Sequence, residues 1–132
     1  MNNLKALTFI NITLAFLWFY QGLVPKLLFT NTDEIAIWQW VGLSYDHAKL
    51  AGQTSGIIEI FFGLAFLCTT HRYLHFLSIF GLICLLILVA CLLPNTLIGA
   101  FNPVVMNIAM INLSILYLFL KPTQVQIPIP KI

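Results

Sequence analysis

Apolar runs long enough to cross a membrane alternate with short polar breaks along this chain, and that rhythm predicts its architecture. The runs cover about residues 4–29, 50–70, 73–93 and 97–120, each near the roughly 20 apolar residues that an α-helix needs to cross hydrocarbon. Pro103 is an alternative start for the last run, because proline suits the first turn of a helix. After the first run, "NTDE" at 31–34 offers Asn31 as a helix N-cap with Glu34 three residues later, the spacing of a capping box. A short helix is therefore expected over "EIAIWQWVGL". Its Trp38 and Trp40, with Tyr45 nearby, are rings suited to headgroup level, so it should lie in the interface or against the mouth of the bundle. "HR" at 71–72 is nearly the whole turn between the second and third runs and predicts an antiparallel hairpin. The three prolines of "PTQVQIPIPKI" predict an extended tail over 122–132.

The fold class that follows is all-α: a polytopic membrane protein, one domain over residues 1–132, built as a four-transmembrane-helix bundle with a short interfacial helix after the first span. Composition agrees, with 61% hydrophobic and 8% charged residues against about 25% charged in soluble domains. The runs are continuous and lack the two-residue alternation of a β-barrel. The first run resembles a signal peptide, but no small-residue cleavage pattern follows it, and a retained helix is expected. Six basic and four acidic side chains are too few for a phosphate-tracking stripe, which excludes nucleic acid as a partner. Four crossings put both termini on one side with Lys5, Arg72, Lys121 and Lys131, while the other side sets Lys26 and Lys49 against Asp33, Glu34 and Asp46. This bias predicts cytoplasmic termini.

Polar residues inside the spans carry the candidate chemistry. Glu59 falls about halfway along the second span, where a lone carboxylate is costly and needs a partner or a proton. Gly52, Gly56 and Gly63 share its neighbourhood at helical spacing, so another helix can approach closely. Lys26, near the outer end of the first span, either snorkels to the headgroups or turns inward to Glu59. Pro25 has no N–H for the carbonyl of Gln21, which predicts a kink over residues 21–25. Asn107 in the fourth span needs an interhelical partner and is expected near the depth of Lys26 and Glu59, with Asn102 at the outer approach. Asn112 lies about 140° around the helix from Asn107 and so belongs to a different contact.

His47, His71 and His75 make no recognisable metal set. Cys68, Cys84 and Cys91 follow no CxxC pattern and are expected as buried small hydrophobes. No nucleotide-binding, metalloprotease or serine-nucleophile motif occurs, so no catalytic residue and no metal site is assigned.

"LWFYQGLVPKLLF" followed by "DE", then "GIIEIFFGLAFL" and "FNPVVMNIAMINLSILYLF", together resemble the DoxX-like family of small four-helix membrane proteins. The resemblance rests on Tyr20, Gly22, Pro25, Lys26, Glu34, Gly56, Glu59, Gly63, Asn102, Pro103 and Asn107. It implies a bacterial inner (plasma) membrane protein, related to membrane subunits of quinone-linked oxidoreductases and to partners of soluble redox or thiol-handling enzymes. Two functions are therefore expected. In one, Gln21, Lys26, Glu59 and Asn107 form a ligand-binding polar core for a quinone or lipid-like molecule, framed by Gly22, Pro25, Gly52, Gly56, Gly63, Asn102 and Pro103. In the other, the same residues only hold the helices or a homo-oligomer together. A proton-coupled transporter or a redox enzyme acting alone ranks behind both. Membrane lipid and a redox protein are the other expected partners.

Overall fold

The computed structural model describes residues 3–100 and 102–121; the expected extended tail and Lys131 lie outside the described residues. The chain is helical: α1 (Asn3–Gly22), α2 (Thr32–Trp40), α3 (Tyr45–Cys68), α4 (Arg72–Leu92) and α5 (Pro103–Leu120). A π-helical turn, Leu23–Leu28, extends α1, and a 3₁₀ turn, Pro94–Ile98, precedes α5. Among the described residues, four helices are long and apolar enough to cross a membrane: Asn3–Leu28, Tyr45–Cys68, Arg72–Leu92 and Pro103–Leu120. This is a multi-pass membrane protein.

Local chemistry explains the boundaries. Pro25 cannot donate to Gln21, and the helix widens instead of breaking, closing with the i→i−5 bond from Phe29 N–H to the Val24 carbonyl (2.9 Å). Asn31 caps α2 by accepting from the Asp33 N–H at 2.9 Å, but the capping box is only half formed. The Asn31 N–H donates to the Pro25 carbonyl, which frees the Glu34 side chain to turn elsewhere. α2 ends in a Schellman motif, with Leu43 N–H on the Trp38 carbonyl, Gly42 N–H on the Gln39 carbonyl and Gly42 at φ +100°. α3 begins earlier than hydropathy alone predicts, because Ser44 adopts the extended N-cap conformation and Asp46 lies in the first turn, where a carboxylate favours the helix dipole. α5 starts at Pro103 rather than at residue 97. Asn102 accepts from the Val104 and Val105 N–H groups at 3.0 and 3.4 Å, and Pro103 fills the first turn.

α1 is the central element, packed along α3 on one side and α5 on the other, while α4 packs mainly on α5. α3 and α4 share a tight turn but meet mainly near it, through Phe66 against His75 (ring centroids 5.1 Å). The reason is the glycine face of α3. A Cβ on Gly63 would stand 2.9 Å from the Ala15 carbonyl oxygen, and one on Gly56 would stand 2.7 Å from the Gly22 carbonyl oxygen. That face is spent on α1, not on α4.

The end of the bundle near Asn3 and Leu120, here the terminal end, is closed by side chains. Trp18, Phe62, Phe66, His75 and Tyr117 form a ladder of rings with centroids 4.8, 5.4, 5.1 and 3.7 Å apart, crossing from α1 through α3 and α4 to α5. Trp18 Nε1 donates to Ser78 Oγ (3.2 Å) and Tyr117 Oη to the Thr70 carbonyl (3.1 Å). Arg72 donates to the Leu118 and Lys121 carbonyls, which serves the open C-terminus of α5. Outside, Phe9, Phe16, Phe61, Phe80 and Phe119 are all exposed, as befits a surface facing acyl chains. Cys68, Cys84 and Cys91 are also exposed, not buried as expected, since a small hydrophobe suits lipid as well as the core.

Replacing Gly56 by alanine should force α1 and α3 apart. We expect a loss of about 1–3 kcal/mol, read as a lower unfolding midpoint in detergent. Gly81, whose Cβ would meet nothing within 4 Å, is the control and should tolerate alanine.

Candidate functional site

At the opposite end, which carries α2 and is here the loop end, the close crossing of Gly22 and Gly56 lays the stem of Lys26 over α3. A Cβ on Gly56 would stand 2.9 Å from Lys26 Cβ, so only glycine lets the stem lie there. The stem carries the ammonium to residues on the same face of α3. Lys26 Nζ lies 2.8 Å from Glu59 Oε1 and 3.1 Å from Ser55 Oγ. It also lies 3.4 Å from Glu34 Oε1, contributed by α2. Of the two alternatives for Lys26, inward pairing is the one observed: its side chain is 9% exposed.

Glu34 holds α2 in this network. Its Oε1 also accepts from Trp38 Nε1 (3.1 Å) and Ser55 Oγ (3.3 Å), and its Cγ would touch a Cβ added at Gly52 (3.0 Å). With Ile35 buried, these contacts seat α2 on the loop end of α3. Trp40 and Tyr45 remain exposed at that end. The three N–H donors of Lys26 match its three partners, and two carboxylates share one cation. The cluster therefore adds no free positive charge to its surroundings.

Beside it lies a cavity of about 750 Å³ between the outer part of α1, α2, α4 and α5. Its polar wall includes Gln21, Lys26, Asn31, Glu34 and Asn102, and its apolar wall includes Leu85, Val89 and Met106. Gln21 is buried, and its Oε1 has no hydrogen-bond partner among the described residues. Pro25 and Pro103 also line the space.

The four polar residues singled out in the sequence thus occupy three positions. Gln21 and Lys26 face the cavity. Glu59 stands behind Lys26, with Oε2 buried and unpartnered. Asn107 is not among the lining residues; it is fully buried on the α5 stripe Asn107, Met110, Ser114 and Tyr117, and neither amide atom is hydrogen-bonded among the described residues. Ser55 and the inward role of Glu34 were missed. Ser55 sits one turn from Glu59, a spacing that places both on one helix face, whereas nothing local distinguishes an inward Glu34 from a first-turn carboxylate. Asn11 and Ser114, buried with unpartnered oxygens, also escaped notice. Among the described residues, no three His, Cys, Asp or Glu side chains gather as metal ligands.

A family model described as the DoxX-like family matches residues 15–115. The chain belongs to the DoxX-like family. The match spans the Lys26 cluster, the cavity and the glycine crossing. No curated protein and no solved structure matches this DoxX-like chain. Its buried polar contacts are of the kind that serve helix packing or a small-ligand site.

The cluster makes an asymmetric prediction. Glu59→Gln leaves Lys26 with Glu34, whereas Lys26→Met leaves two carboxylates facing each other, so Lys26→Met should be the more damaging, by about 3–5 kcal/mol against wild type. A double-mutant cycle followed by chemical denaturation in micelles measures the coupling; equal effects of the two single variants would contradict the shared-cation geometry.

Proposed function

We propose that this DoxX-like protein is a non-catalytic membrane subunit or binding module that holds a quinone or lipid-like small molecule in the cavity at the loop end. The observation that supports this most directly is the buried amide oxygen of Gln21, unpartnered and on the wall of an apolar cavity whose volume lies in the roughly 300–1,000 Å³ range of small-molecule sites. Charge narrows the ligand class. Lys26 is committed to Glu59, Ser55 and Glu34, and Asp33 adds another carboxylate to the lining, so an anionic head meets net negative charge. A neutral head that exchanges hydrogen bonds with Gln21 fits better, with an apolar body along Leu85, Val89 and Met106. A quinone or quinol has that form, and Gln21 offers an acceptor to a hydroxyl and, from its amide nitrogen, a donor to a carbonyl.

A structural or assembly role is the second reading. It is favoured by the Gly22–Gly56 crossing and by the complete set of Lys26 partners, which need no ligand to explain them.

Titrating a short-tailed ubiquinone analogue into the protein in nanodiscs, followed by tryptophan fluorescence, separates the two. The binding reading expects saturable quenching, weakened on the order of tenfold by Gln21→Leu, which removes about one buried hydrogen bond, and weakened also by Val89→Phe, which fills the space. Phosphatidylglycerol should not compete. Affinity unchanged in both variants would leave only the structural role.

A further inference from the structure

The outward face of α5 carries an amide that none of the described residues satisfies. Asn112 is exposed and makes no hydrogen bond among the described residues. It sits nine residues after Pro103 and eight before Leu120, about 12–14 Å from either end of the span at 1.5 Å per residue, too deep to reach headgroups. The contrast with other polar groups on the spans is sharp. The hydroxyls of Thr8, Thr13 and Thr54 each donate to the carbonyl four residues earlier on the same helix, and Thr69, just past the end of α3, donates to the Ala65 carbonyl.

The neighbours of Asn112 form a seam. Val105, Ala109, Asn112, Leu116 and Phe119 are spaced four, three, four and three residues apart, and all five are exposed, Val105 at 70%, Leu116 at 46% and Phe119 at 83%. That spacing is the heptad repeat by which two helices wrap around each other, and a single polar residue in such a seam sets register. The carboxamide is self-complementary: its N–H donates to an identical group's oxygen while its own oxygen accepts in return.

We infer that the chain self-associates in the membrane through this face of α5, two copies meeting about a two-fold axis along the membrane normal with Asn112 opposite Asn112. Both copies share one orientation in the bilayer, so the two α5 helices run parallel and like positions meet. Ala109 permits close approach one turn from the amide pair. Val105 and Ala109 also border the cavity, so the second copy forms part of its lateral wall.

The test is self-association of the full chain in liposomes, read by resonance energy transfer between labelled copies as the protein-to-lipid ratio is diluted. Wild type should associate, and Asn112→Leu should raise the apparent dissociation constant about tenfold, the scale of paired interhelical amide bonds. Phe80→Leu, on the exposed face of α4, should leave it unchanged. A wild type that stays monomeric at the highest protein density, an Asn112→Leu variant that associates like wild type, or an equal loss in both variants would overturn the inference.

Discussion

One ammonium shared among two carboxylates and a hydroxyl organises the loop end of this protein. Charges taken out of water are tolerated only when they are paired and hydrogen-bonded, and here the pairing draws on three segments: the π turn for Lys26, α2 for Glu34 and α3 for Glu59 and Ser55. The arrangement depends in turn on Gly22 and Gly56, whose backbones approach so closely that a side chain on either would collide with the other's carbonyl. Without that crossing the stem of Lys26 has no path along α3. Without the ammonium, Glu34 of α2 keeps only the Ser55 hydroxyl as its polar link to α3.

The two ends of the bundle are built on different physics. At the terminal end, aromatic rings stack and cross from α1 to α5, and the Arg72 guanidinium and Tyr117 hydroxyl occupy backbone carbonyls. At the loop end, α1 is held to α3 by glycines and charge, and the cavity lies on its other side, lined by the outer part of α1, α2, α4, the 3₁₀ turn and α5. One small bundle thus joins an end cross-linked by rings and carbonyl hydrogen bonds to an end that carries a recess with a mixed polar and apolar wall.

Lipid as the surrounding solvent changes how exposure is read. Phenylalanines and cysteines on the outside need no explanation, because acyl chains accept them. Polar groups do need one. Threonine satisfies itself on its own helix, Asn107 turns fully inward, and Asn112 does neither. In a membrane the informative surface residue is thus an amide at mid-depth, as an exposed apolar patch is in water.

Much of the fold was legible in the chain because continuous apolar runs of spanning length have few alternatives when every backbone polar group must be satisfied internally. The four crossings, the short helix after the first and the disturbance at Pro25 are consequences of hydropathy and proline chemistry, which act locally; the cost of an isolated charge left Lys26 free either to snorkel or to pair with Glu59, and only the fold chose the pair. Helix pairing and side-chain facing were not readable in the same way. That α3 spends its glycines on α1 and not on its hairpin neighbour, that Glu34 abandons its capping box for Lys26, that Ser55 joins the cluster and that Asn107 leaves the cavity are outcomes of which surfaces meet. Residues far apart in the chain decide them together, through close packing that no single segment encodes.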